Sequence, residues 1–141
     1  MPANGEIRPA TPADLPGVAA VQAVSPDAAH WDVGDYLDHQ FLISTVGNSV
    51  AGFLVSRTVA PGERELLNLA VSPDFRRRGI ARRLFEASIQ GFRGLIYLEV
   101  RESNAAAQSF YKSLHFVPVA RRQNYYRDPP EAAIVMKFHS C

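Results

Sequence analysis

Residues 65–86 read ELLNLAVSPDFRRRGIARRLFE, and three patterns follow one another within them. Leu66 to Val71 has the length and composition of a strand. Ser72-Pro73-Asp74 is a turn signal. From Gly79 the spacing becomes helical: Ile80, Ala81, Leu84 and Phe85 share one face, and Arg82, Glu86 and Gln90 lie on the other. This is a strand–loop–helix unit with glycine at the helix entrance. The first helical N–H groups lack partners there and the helix dipole is positive, so backbone alone can hold a phosphate if no side chain blocks it. Gly79 and the small Ala81 clear that approach. The arginines around them add charge, and their forked donors suit a diphosphate. A solvated arginine face or a nucleic-acid patch is the competing reading, but it explains neither the glycine nor the ordered context.

The rest of the chain extends this unit into a mixed α/β pattern. Thr11-Pro12-Ala13-Asp14 places a capping hydroxyl, a proline at the first helical position and a carboxylate three residues after the cap, which predicts a helix over 12–24 ended by Ser25-Pro26-Asp27. Trp31 to Leu37 predicts a second short helix with acidic residues in its first turn. QFLISTV and SVAGFLVSRTV, separated by Gly47-Asn48, and then ELLNLAV after Pro61-Gly62, predict a three-strand antiparallel meander. LIYLEV is apolar on both faces and reads as a central strand. Ser103 is the expected cap of NAAAQSFYKSLH, a further helix. FVPVA and AIVMKF supply the closing strands, with residues 124–130 as the loop between them.

Composition narrows the possible functions. A chain of 141 residues is one domain's worth, 1–141, with no internal repeat or low-complexity linker. Fifteen Lys and Arg stand against fourteen Asp and Glu, so any basic site is local rather than a global field for a polyanion. The one cysteine, Cys141, leaves no internal disulfide and fits a reducing cytoplasm. His30, His39 and His139 show no ligand spacing with one another or with Cys141, so no metal site is expected. The N-terminal stretch lacks a targeting pattern and no apolar run reaches membrane-span length, so the expectation is a soluble, unprocessed cytoplasmic protein.

The loop Arg76-x-x-Gly79-x-Ala81 after an apolar strand resembles the acyl-CoA loop of the GNAT superfamily of N-acetyltransferases, usually written Q/R-x-x-G-x-G/A. LLNLAVSPDFRRRGIARRLFE, LEVRESNAAAQSFYKSLHF, RRQNYY and AIVM together look like the bacterial ribosomal-protein alanine N-acetyltransferases within it, from about residue 65 onward. The resemblance implies a GNAT fold: a central twisted, mostly antiparallel sheet of about seven strands with helices on both faces. It also implies acetyl-CoA as acetyl donor. Arg76, Arg77, Arg78, Gly79, Ile80, Ala81 and Arg82 would then face the diphosphate. Leu69, Ala70 and Val71 would bind the pantetheine through main-chain groups and polarise the thioester carbonyl.

By the same resemblance Glu99 is the general base, acting through water, and Tyr111 the general acid. Partial burial, which raises a carboxylate's pKa toward the working pH, is compatible with a base at this strand position. A glutamate paired with Arg101 or another cation is the bland alternative. Tyr111 lies seven residues after Asn104, two turns along the predicted helix, so the two side chains point alike, with Phe110 and Leu114 on the more buried face. The phenol would reach a sulfur held between splayed strands ELLNLAV and LIYLEV, and Asn104 would be a polar contact to the cofactor.

The implied acceptor is a protein N-terminus, the alanine of a ribosomal protein, with Trp31, Tyr125 and Tyr126 as groove walls. An α-amino group, with pKa about 7.7–8.0 against about 10.4 for lysine, is the more readily neutralised amine. Neither a membrane nor a nucleic acid is an expected partner. The chain departs from the family at Arg76, Ala81 and Ala132. It also has His115 where Leu-Gly-Phe is common, a site expected to be left-handed and strained rather than catalytic. A small-molecule amine acetyltransferase and a non-catalytic acyl-CoA-binding module remain the alternatives.

Overall fold

In the computed structural model, which describes residues 5–25, 31–127 and 129–140, strands and helices alternate as the patterning predicts. The elements are β1 (Glu6–Pro9), α1 (Leu15–Ala23), β2 (Gln40–Val46), β3 (Ser49–Ala60), β4 (Glu63–Val71), α2 (Ile80–Ser88), β5 (Gly94–Arg101), α3 (Ala105–Ser113), β6 (Val117–Arg127) and β7 (Pro130–Ser140). The sheet is mixed, ordered β1-β2-β3-β4-β5-β7-β6. The pairings β1–β2, β2–β3, β5–β7 and β6–β7 are antiparallel, and β4–β5 is parallel. The predicted meander is therefore present as β2, β3 and β4. Two units can be distinguished, Met1–Arg57 with Leu66–Gly91, and Thr58–Glu65 with Phe92–Cys141.

The first unit illustrates how the period of two along a strand sorts side chains. Phe41, Ile43, Phe53 and Val55 face one way and form a core with Val18 and Val21 of α1, Tyr36 and Ala70. The alternate residues face α2: Gln40 bonds to the carbonyl of Ser88 at 3.1 Å and accepts from Ser56 at 2.6 Å. Helices thus cover both faces of β2 and β3. α1 is shorter than predicted, because Pro12–Asp14 forms a 3-10 turn ahead of it. The expected capping box of Thr11 and Asp14 is present, with the Thr11 N–H donating to Asp14 at 2.8 Å and the Thr11 hydroxyl doing so at 3.0 Å. Arg8 donates to both Asp14 oxygens, at 2.8 and 2.9 Å, and this pairing holds the Asp14 carboxyl well below the usual carboxylate range. The second short helix is a 3-10 turn, Val33–Asp38, capped by the Asp32 side chain at the Gly34 N–H. β1, four residues long, is too short to stand out from the sequence. Pro26, Asp27, His30, Asp128 and Cys141 lie outside the described residues.

In the second unit β5 pairs with β7 along its whole length, Gly94 opposite Ser140 to Arg101 opposite Ala133. Ile96, Leu98 and Val100 are buried on one face. Tyr97, Glu99 and Arg101 occupy the other. Phe116, fully buried, stacks on Phe138, which lies opposite Ile96, so the end of α3 covers the apolar face. Two expectations are corrected here. Residues 124–130 are not a loop, since β6 runs to Arg127 and β7 starts at Pro130. The cap of α3 is Asn104, not Ser103: the Asn104 side-chain oxygen accepts from the Ala107 N–H at 3.0 Å.

Close backbone approach at the start of β5 dictates glycine. Gly94 has φ 144°, and a Cβ there would stand 2.1 Å from the Gly62 carbonyl oxygen, a backbone atom that cannot swing aside. Gly94→Ala is expected to destabilise the protein by about 2–3 kcal/mol in urea unfolding. A second expectation concerns Asp14, whose depressed carboxyl contributes stability that is complete above its unfolded pKa and lost as pH falls. The stability gap between wild type and Asp14→Asn, followed by denaturation at several pH values, should be full at neutrality and shrink below about pH 4.

Candidate active site

The first unit carries the glycine loop. After β4, a 3-10 turn at Pro73–Phe75 leads to Arg76, whose Nε lies 3.4 Å from the Val71 carbonyl, and to Arg77 at φ 65°. Gly79 follows as the N-cap of α2 at φ 74°, a left-handed conformation that glycine adopts without steric cost. A Cβ on Gly79 would meet nothing within 4 Å, so the space over its backbone is open. The helical ladder begins with the Arg83 N–H on the Gly79 carbonyl at 3.0 Å, which leaves the Ile80 and Ala81 amides ahead of it. Arg76, Arg77, Arg78 and Arg82 are exposed around this opening, and the Ile80 side chain is buried and anchors it. Arg78 stacks over Phe75 at 5.2 Å.

A buried polar network that the sequence reading missed lies on the strand before the loop. Asn68 donates to the Tyr36 hydroxyl at 3.1 Å and to Gln22 at 3.3 Å, and Tyr36 donates to the same Gln22 oxygen at 2.6 Å. Gln22 in turn donates to the Trp31 carbonyl at 2.7 Å. Burial pushes the Tyr36 phenol above its ordinary pKa. Asn68 also accepts from the Leu69 N–H at 3.0 Å, so one of the main-chain groups of Leu69, Ala70 and Val71 expected to meet the cofactor already has an acceptor. The signal was the single polar residue in an apolar strand. Trp31 is half exposed and its ring lies 6.3 Å from that of Tyr36.

The second unit gathers the charged and phenolic groups. Glu99 Oε2 accepts from Arg122 at 2.8 Å and Oε1 accepts from the Tyr125 hydroxyl at 3.1 Å. The Glu99 side chain is 14% exposed and that of Arg122 57%, so the carboxylate is largely covered and its cation is not. Arg122 also stacks over Tyr125 at 4.6 Å. Of the cations that the alternative reading allowed, Arg101 or another, the partner is Arg122, while Arg101 pairs with Glu131 at 3.2 Å and stacks over Tyr126 at 4.2 Å. Burial pushes the Tyr126 phenol up to about 12, and burial followed by the nearby Glu99 charge raises that of Tyr125. Arg121 is held by Glu102 at 2.6 and 3.0 Å, so neither arginine of this pair is an unopposed charge.

Tyr111 sits where α3 ends. The Phe116 N–H returns to the Tyr111 carbonyl at 3.0 Å and the His115 N–H to that of Lys112 at 2.9 Å, a Schellman closure with His115 left-handed at φ 76°, as its position predicted. The closure brings the Phe116 ring to 5.5 Å from that of Tyr111, with Phe110 at 5.3 Å on another side. Phe110 is half-buried, as is Tyr111, so only Leu114 of the two expected core residues is fully inside. Burial raises the Tyr111 phenol above its ordinary pKa, and among the described residues no side chain hydrogen-bonds to it. Asn104, predicted to point alike with Tyr111 from within the helix, stands at the cap with its oxygen engaged.

The structure therefore joins Glu99 with Tyr125 and Tyr126 in one cluster, while the loop, Leu69 to Val71 and Trp31 belong to the first unit. Among the described residues no three His, Cys, Asp or Glu side chains gather as a metal site, and no helix is long and apolar enough to cross a membrane.

Residues 13–116 match the model of the acetyltransferase (GNAT) family, a class of acyl-transferring enzymes, and the glycine-headed helix after β4 in a seven-strand mixed sheet agrees with that match. The chain belongs to that family. It is similar to the ribosomal protein bS18-alanine N-acetyltransferase of Salmonella typhimurium, 43% identical over 98 residues. That match covers 65% of this chain and 66% of the Salmonella protein, about two thirds of each. The crystal structure of the ribosomal-protein-S18-alanine N-acetyltransferase from Escherichia coli superposes with TM-score 0.80 at 31% identity, covering 96% of this chain and 93% of that one. A GNAT family acetyltransferase from Elizabethkingia anophelis, crystallised with acetyl-CoA bound, shares the fold with TM-score 0.77 at 18% identity, covering 97% and 99% of the two chains.

Because a Cβ at position 79 would meet nothing within 4 Å, Gly79→Val should cost mainly backbone strain, about 1–2 kcal/mol in chemical denaturation. A much larger loss would mean that the space above the loop is filled.

Proposed function

We propose that this protein transfers the acetyl group of acetyl-CoA to the N-terminal α-amino group of a protein, the alanine of a ribosomal protein. The similarity to the Salmonella enzyme carries the substrate reading. The family match runs from 13 to 116 through both units and includes Gly79, Glu99 and Tyr111, which supports 1–141 as one catalytic domain. The open backbone at Gly79 and the exposed arginines around it fit a diphosphate.

Acetyl-CoA, when bound, supplies a thioester whose acetyl group an uncharged amine can attack. In this reading the amides of Ile80 and Ala81 and those of the preceding arginines receive the diphosphate, and Arg76, Arg77, Arg78 and Arg82 add charge. Main-chain groups of Leu69, Ala70 and Val71 bind the amide-bearing arm, the Leu69 carbonyl serving in place of its engaged N–H. The Asn104 amide nitrogen is the part of that side chain left to meet the cofactor.

Glu99 takes the proton of the incoming ammonium through water. Each carboxylate oxygen has two lone pairs and spends one on Arg122 or Tyr125, so acceptor capacity remains on both. An α-amino group, with pKa about 7.7–8.0, asks less of such a base than lysine does. A phenol keeps its proton through the neutral range and burial raises the Tyr111 pKa further, so its hydroxyl is available as a donor to the departing sulfur. Tyr125, Tyr126 and Trp31 form walls against which the substrate peptide lies.

Glu99→Gln and Tyr111→Phe should each lower kcat by about 10²–10⁴-fold toward a peptide beginning Ala-Arg, while calorimetric affinity for acetyl-CoA stays near wild type. Gly79→Val should do the reverse and weaken acetyl-CoA uptake. Wild-type turnover in both proton-transfer variants would remove Glu99 and Tyr111 from the mechanism, and acetylation of free small amines in preference to the peptide would replace the substrate.

A further inference from the structure

Tyr125 and Tyr126 are neighbours in the chain, yet both serve the Glu99 face of the sheet. In a regular strand adjacent side chains point to opposite faces. The register explains the exception: Arg122 lies opposite Ala133 and Tyr126 opposite Glu131, so four steps along β6 answer two along β7. The surplus of two residues makes a bulge within Gln123, Asn124 and Tyr125. Asn124 within it is left-handed, at φ 55°, a conformation that asparagine accepts more readily than most residues.

The bulge has a chemical consequence. Arg122 before it holds one oxygen of Glu99 at 2.8 Å, and Tyr125 inside it holds the other at 3.1 Å. Tyr126 after it is on the same face, its ring under Arg101 at 4.2 Å and 5.0 Å from the Tyr125 ring. A single ion pair to an exposed arginine leaves a carboxylate free to rotate and is worth little. Two donors on opposite oxygens fix its plane.

We propose that the bulge, held open by Asn124, is the positioning element for Glu99. It turns Tyr125 onto the carboxylate beside Arg122 and thereby fixes the remaining lone pairs toward an incoming amine. Asn124 is then a positioning residue that touches neither substrate nor cofactor. The proposal rests on Glu99 as the base, and its test separates the two ideas.

Asn124→Gly keeps the left-handed backbone, whereas Asn124→Val, β-branched, rejects it. With a peptide beginning Ala-Arg, Asn124→Val should lose about 100-fold in kcat/KM, mainly in kcat, and Asn124→Gly should stay near wild type. Acetyl-CoA affinity by calorimetry should be alike in all three, which shows that each is folded. A readout independent of activity is the tyrosine ring-carbon NMR signal of Tyr125, assigned with Tyr125→Phe. It should respond to Glu99→Gln in the wild-type and Asn124→Gly backgrounds and not in Asn124→Val. Asn124→Val with wild-type turnover and an unchanged Tyr125 response would overturn the proposal. If the NMR pattern is as expected but wild-type protein does not acetylate the peptide, the bulge positions Glu99 as stated and the reading of Glu99 as a base fails.

Discussion

A carboxylate on an inner strand is tolerated only where donors meet it, and the second unit is built around that constraint. β5 buries Ile96, Leu98 and Val100 on one face and turns Glu99 to the other, where it is largely covered. A charge so placed is costly without partners. Arg122 and Tyr125 meet it, and both come from β6, whose irregular register brings them to the same carboxylate. Arg101 and Arg121 have carboxylates of their own, Glu131 and Glu102, which leaves Arg122 committed to Glu99.

The first unit solves a different problem, with backbone rather than side chains. Gly79 in a left-handed conformation opens the head of α2, and the amides ahead of the helical ladder supply donors without the entropy cost of ordering long side chains. Behind the loop, Asn68, Gln22 and Tyr36 satisfy one another inside the unit. Buried polar groups arranged in that way rigidify the strand that bears them. In the proposed reading the loop binds through its main chain, and such a fixed base would hold that backbone's geometry.

Tyr111 depends on a helix terminus. The Schellman closure through His115 returns Phe116 to the Tyr111 carbonyl and packs the two rings together, so the phenol's position is set by how α3 stops. The apolar surroundings that pack against it also raise its pKa.

Short-range pattern determined much of this molecule. The strand–loop–helix order, the glycine at the helix entrance, the meander, the central strand and the left-handed residue after α3 all follow from local periodicity and backbone preference, which act over a few residues. So did the candidacy of Glu99 and Tyr111, through motif resemblance. Tertiary structure decided the rest. That Arg122 rather than Arg101 pairs with Glu99, that Tyr125 and Tyr126 share a face, and that Asn68 reaches Tyr36 and Gln22 depend on register and on contacts between residues distant in sequence. β1 gains its strand character only from pairing with β2. One strand's pattern says which faces it has, but its neighbour's register decides which side chains meet there, and a bulge of two residues changes that answer without a marked change in composition.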